Sequence, residues 1–114
     1  MFSTKITDSG NVRVVECAGR LDGSTATQLG DVLAQAIDPE HPFIVLDLDK
    51  VEYMSSAGLR EIVAGFKQVR KFKGDVRLAT ASDRTVSVLD IVGLSPSVYP
   101  TVQAAIKSFK AEDN

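Results

Sequence analysis

Two adjacent hydroxyls, Ser55 and Ser56, stand shortly before Gly58, where the apolar run from Phe43 gives way to residues at helical spacing. A serine at such a junction can do three things. It can cap the helix by accepting a hydrogen bond from an unpaired N–H. It can carry a phosphate, which the exposed amides and the dipole of a helix start favour. It can also act as a nucleophile, but a nucleophile elbow needs glycine two residues before the serine, and Met54 stands there before Ser56. The single histidine, His41, lies in a proline-flanked turn ahead of the apolar run and hence at its opposite end, out of reach as a base. Capping and phosphate acceptance remain, for either serine.

Other chemistries find no residues. The lone Cys17 sits in the apolar stretch Val14 to Ala18 and reads as a small buried hydrophobe rather than a reactive thiol. With one Cys and one His there is no zinc spacing, and the acidic residues form no metal-binding pattern. No Walker A or G-x-G-x-x-G motif occurs, so no catalytic residue, metal or cofactor is expected. A net charge of −2 leaves no footprint for nucleic acid. The charge is uneven: residues 57–74 hold five Lys/Arg against one acidic residue, at Arg60, Lys67, Arg70, Lys71 and Lys73. That cluster is a solvated helix face or a docking patch. No apolar run is long enough to cross a bilayer, and the start of the chain lacks a charged head and apolar signal core. A cytoplasmic protein without membrane insertion is expected.

The 114 residues suffice for one domain whose core needs no disulfide or metal. Residues 2–7 and 12–18 read as a hairpin around Asp8-Ser9-Gly10-Asn11. From Ser24, read as an N-cap, Ala26, Leu29, Val32, Leu33, Ala36 and Ile37 mark one helical face, stopped by Pro39 and Pro42. Residues 43–48, apolar except for Asp47, predict a central strand covered on both faces. Leu59, Ile62, Val63, Phe66, Val69 and Phe72 predict a second helix ending near Gly74. Residues 75–80 alternate like a half-buried strand, and Ser82 or Asp83 starts a short helix that stops at Gly93. A short strand at Val98-Tyr99 and a final helix through Val102, Ala105, Ile106 and Phe109 follow, leaving 111–114 as a disordered tail.

Strands alternating with helices imply an α/β domain: a mixed, mostly parallel sheet of four to five strands with about four helices, the first strand antiparallel. The strand-to-helix loops at Asp22 to Ser24, Met54 to Gly58 and Thr80 to Asp83 must then share one end of the sheet, where α/β sites form.

The run from Phe43 to Leu59, an apolar strand followed by Tyr53-Met54-Ser55-Ser56-Ala57-Gly58-Leu59 and a helix, resembles the STAS domains, specifically the single-domain anti-sigma factor antagonists of bacteria. The Gly19-Arg20-Leu21-Asp22 turn and the order of elements extend the likeness over nearly the whole chain. Two positions depart from the common pattern: Ser55 where many members carry Asp, and Ala57 where they carry Ser or Thr. The resemblance implies a binding switch rather than an enzyme. Ser56, or else Ser55, would be phosphorylated by an anti-sigma factor with serine-kinase activity, and a PP2C-like phosphatase would reverse the modification. It further implies a partner surface of Asp22, Ser24, Met54, Ser55, Ser56, Ala57, Gly58, Leu59 and Arg60. A second role within the same fold is a non-switching scaffold subunit of a bacterial phospholipid-transport ABC complex. A phosphoaspartyl receiver, suggested by Leu46-Asp47-Leu48-Asp49, fails because the first strand-to-helix loop lacks an acidic pair for magnesium and no Lys-Pro follows the last strand.

Overall fold

The alternation of apolar side chains along the strands sends two sets of residues to two faces, and a helix layer covers each. A computed structural model describes residues 1–112, with side chains through Phe109. The elements are β1 (Phe2–Ser9), β2 (Val12–Leu21), α1 (Ala26–Ala36), β3 (Phe43–Met54), α2 (Ser56–Arg70), β4 (Asp75–Ala79), α3 (Asp83–Ile91), a 3-10 turn at Ser95–Ser97, β5 (Val98–Tyr99) and α4 (Val102–Glu112). The strand order is β1-β2-β3-β4-β5, with β1 antiparallel to β2 and all later pairs parallel. This is the mixed sheet expected, with β3 in the middle. It is not the all-parallel 2-1-3-4-5 sheet of a receiver, and Asp47 is engaged by the Thr80 hydroxyl at 2.6 Å.

On one face Val15, Cys17, Ile44, Leu46, Leu48, Val76 and Leu78 meet Leu29 and Leu33 of α1, Ile62 and Phe66 of α2, and Leu89 of α3. On the other, Val12, Val45 and Ala79 meet Ala105, Ile106 and Phe109 of α4. Such double cover is why residues 43–48 are continuously apolar. Burial pushes the Cys17 thiol up to about 12, so it is a packing residue and not a nucleophile.

Several expectations need correcting. β4 is buried on both faces, although its sequence alternates. Arg77, only 4% exposed, lies on the α4 side, where its guanidinium stacks over Phe109 and donates to Ser108 Oγ at 3.1 Å and to Asp75. Pairing and stacking let a charged residue occupy an interior position. Helix α2 ends at Arg70, earlier than Gly74; the chain turns through Lys73, with φ 59°, and Gly74 N–H closes on Val69 O at 2.9 Å. Gly74 has a separate reason to be glycine, since a Cβ there would stand 1.9 Å from Pro42 O. Helix α4 runs to Glu112, so the first two residues of the expected tail are helical; residues 113 and 114 lie outside the described residues. Strand β3 continues to Met54, well past the expected end at Leu48. Register shifts against β2 between Glu16 and Ala18 and between Gly19 and Arg20 place extra residues on β3 and reset its phase. Val51 and Met54 thereby return to the buried face.

Candidate functional site

Parallel pairing brings Leu21 of β2 beside Met54 of β3, so the two chains leave the sheet side by side. Ser55 N–H donates to Leu21 O at 2.7 Å and ties the junctions together. Beyond that tie the backbone must enter α2 close to β2. Gly58 makes this possible: it is buried, and a Cβ on it would meet Leu21 Cβ at 3.0 Å. The glycine of the Ser-Ala-Gly segment is a close-approach residue, needed so that α2 can start against Leu21.

The structure divides the two roles open to the serines. Ser55 is the N-cap of α2, with extended backbone, and its hydroxyl accepts from Gly58 N–H at 3.4 Å. Ser56 is the first helical residue; it is exposed, and its hydroxyl makes no hydrogen bond within the described residues. Met54, Gly58 and Leu59 are buried, whereas Ala57 is half-buried and Arg60 exposed. Within the anticipated partner surface, Ser56 and Arg60 are therefore presented outward, while Gly58 works from behind by setting the helix position.

One carboxylate oxygen of Asp22, Oδ1, is engaged in its own turn. It accepts from Ser24 N–H at 2.9 Å, Ser24 Oγ at 2.7 Å and Thr25 N–H at 3.2 Å. The Ser24 hydroxyl, then the backbone amides, hold this carboxyl below its ordinary value. Ser24 does not cap α1, as its position suggested. The N-cap is Thr25, whose hydroxyl instead donates to Arg20 O at 2.6 Å and accepts from Asp22 N–H at 2.9 Å. The first helical amide, Ala26 N–H, donates to the Asp22 backbone carbonyl at 2.9 Å, while the Asp22 carboxylate holds the turn that precedes the helix.

The third strand-to-helix loop is staggered. Ala79 pairs with Asp47, well short of the end of β3, so Thr80 leaves the sheet low down and α3, rather than its loop, lies beside Ser56. Ser82 caps α3 by accepting from Thr85 N–H at 3.2 Å. Between the β3–α2 junction and α3 is a cleft of about 400 Å³, lined by residues 52–56 and Leu59 on one side and by Arg84, Thr85, Val88 and Ile91 of α3 on the other. Further along α2 a groove of about 320 Å³ runs past Val63, Phe66, Val92 and Leu94, rimmed by Lys67 and Arg70. Sequence reasoning missed the α3 contribution. Its one signal was Ile91, an apolar residue at the end of a short helix and 81% exposed in the fold. Arg20 stacked on Tyr53 at 4.6 Å is a second pair that no motif marked. His41 hydrogen-bonds Asp38 at 2.9 Å in the turn before β3, at the far end of the sheet. No group of metal-ligating side chains occurs among the described residues.

A sheet of this order, with a serine-bearing helix start beside the end of β2, defines a STAS-type domain. The STAS domain family model matches residues 3–105, and the chain belongs to that family. An anti-sigma-B factor antagonist of Listeria monocytogenes is 35% identical over 78 residues, 68% of either chain. The structure of an anti-sigma factor antagonist from Mycobacterium paratuberculosis superposes with a TM-score of 0.79 at 26% identity, covering 95% of this chain and 93% of that one. The Bacillus cell fate determinant SpoIIAA in its phosphorylated form shares the fold, with a TM-score of 0.76 at 19% identity over 94% and 99% of the two chains.

Proposed function

We propose that the chain is an anti-sigma factor antagonist that works by partner switching. Unphosphorylated, it binds an anti-sigma factor with serine-kinase activity; phosphorylated on Ser56, it is released, and a PP2C-like phosphatase restores it. Such a cycle belongs in the cytoplasm, and no helix among the described residues is long and apolar enough to cross a membrane. The reading draws on the names of the relatives and on one observation above all: the cap of α2 is taken by Ser55, leaving the Ser56 hydroxyl exposed and uncommitted at the positive end of the helix. A phosphate there adds about −1.5 to −2 charges and is welcome in the free domain, where the dipole is worth about 0.3 to 1 kcal/mol. In a complex it must give up water against a surface shaped for a neutral hydroxyl, which weakens binding.

The test is phosphorylation by the cognate kinase with ATP and magnesium, followed by phosphopeptide mapping. One phosphate on Ser56 is the expected result. A phosphate on Ser55, or none, overturns the assignment.

A further inference from the structure

Resting on Ser56 as the acceptor, we propose that Arg84 reads the modification: a phosphate on Ser56 draws the Arg84 guanidinium across the cleft and closes it. Ser56 comes from the start of α2 and Arg84 from the first turn of α3, and both line the same cleft of about 400 Å³. Arg84 is exposed and makes no ion pair or hydrogen bond within the described residues. Arg60 and Arg70 on α2 are likewise exposed and without an ion pair or hydrogen bond among the described residues, but neither lines the cleft; the remaining three arginines are committed. Arg13 pairs with Asp8 at 2.8 Å, Arg20 lies over Tyr53, and Arg77 is buried over Phe109. In the first turn of a helix the dipole disfavours a cation, so the charge of Arg84 does not stabilise the start of α3, and its side chain lines the cleft instead.

The charged groups around the acceptor are few. Glu52 and Tyr53 line the cleft, Arg20 lies over the Tyr53 ring, Asp83 precedes Arg84 on α3, and Arg60 stands one turn along α2 from Ser56. A phosphate dianion offers more charge and more acceptor oxygens than Glu52, and a guanidinium can meet it with two parallel N–H bonds. That pairing links the start of α2 to α3 over the apolar floor of Leu59 and Val88. Phosphorylation then removes an apolar docking surface in addition to adding charge.

The experiment uses the full chain with phosphoserine installed at position 56 during translation, so that it needs neither kinase nor partner. Phosphorus NMR follows the second ionisation of the phosphate, about 6 for an unperturbed phosphoserine. It should fall by roughly 0.5 unit. Arg84→Gln should restore at least half of that shift, while Arg70→Gln, also exposed but on the last turn of α2, should restore none. The unmodified Arg84→Gln protein should melt where wild type does, showing that the fold does not need the side chain. Equal phosphate titration in wild type and Arg84→Gln overturns the proposal, as does a shift that survives Arg84→Gln and disappears in Arg60→Gln. Mapping of the kinase product to Ser55 would sink the functional reading alone, because the titration reports on Arg84 either way.

Discussion

Two strand-to-helix junctions leave the same sheet edge side by side and end up chemically opposite. After β2, the Asp22 carboxylate and the Ser24 and Thr25 hydroxyls are all bound to one another or to the backbone. After β3, Ser55 is bound as the cap and Ser56 is left free. The first junction is a knot that fixes where α1 begins. The second is held by a cap, a tie to Leu21 O and a glycine contact, so its free hydroxyl is presented at a defined place without taking part in the holding. Support and display are divided between neighbouring residues, which is what a modifiable position requires if modification is not to unfold the domain.

Changing the displayed residue should produce the largest effect on function. Ser56→Ala should abolish phosphorylation and give persistent binding to the anti-sigma factor. Ser56→Glu should weaken that binding at least tenfold, about 1.4 kcal/mol, with an unchanged circular dichroism spectrum. A Ser56→Glu protein that binds weakly only because it has melted would count against display without support. Gly58 tests the opposite half of the comparison. Gly58→Ala gains up to about 1 kcal/mol of helix propensity, which offsets much of the tight contact with Leu21. Gly58→Val adds volume against a fully buried side chain and should cost about 1 to 3 kcal/mol in chemical denaturation.

Ser55→Ala separates the two serines directly. It removes a cap whose hydrogen bond is long, at 3.4 Å, so a loss of about 0.5 to 1 kcal/mol is expected in thermal or urea melts. Phosphorylation on Ser56 should persist. If Ser55→Ala abolishes phosphorylation while the protein stays folded, the division of roles drawn here is wrong.

The order of elements was legible because doubly covered strands and single-faced helices leave distinct patterns, as in residues 43–48 and the Leu59 to Val69 face. The far half of β3 was not legible. Its register shifts break the alternation that reveals a strand, and Asp49, Lys50 and Glu52 look like loop. Arg77 misled for a related reason: charge in a strand reads as exposure unless the aromatic ring and acceptors that satisfy it, Phe109 and Ser108 of a distant helix, are in view. Within the site, the Ser55-Ser56-Ala57-Gly58 segment and Asp22 were readable by their likeness to the family pattern. The division between Ser55 and Ser56 was not, since either can cap and only the position of the first helical residue decides. The α3 wall of the cleft was likewise hidden, because it depends on β4 stopping short of β3 and so letting α3 lie against the β3–α2 junction.

The smallest effect, and the sharpest test of the first junction, is Asp22→Asn. Asparagine keeps an acceptor oxygen for the Ser24 and Thr25 amides, so the knot should persist and the melting temperature at neutral pH should stay close to that of wild type. What the substitution removes is the charge. In the folded state the Asp22 carboxyl is held below its ordinary value of 3.8 by the Ser24 hydroxyl and the turn amides. A lowered folded pKa means that its contribution is present in full above 3.8 and is lost as pH falls through the lower folded value. Wild type should therefore lose stability relative to Asp22→Asn between those two points, and the two should run parallel above pH 5. Parallel curves down to the acid limit would show that the carboxylate charge contributes nothing to the knot. Phosphorylation kinetics separate holding from recognition. If Asp22 also meets the kinase, as its place beside Ser55 suggests, Asp22→Asn should slow phosphorylation of Ser56 while melting like wild type at pH 7. Unchanged kinetics would make Asp22 a turn residue alone, and the contrast between the two junctions would then be complete.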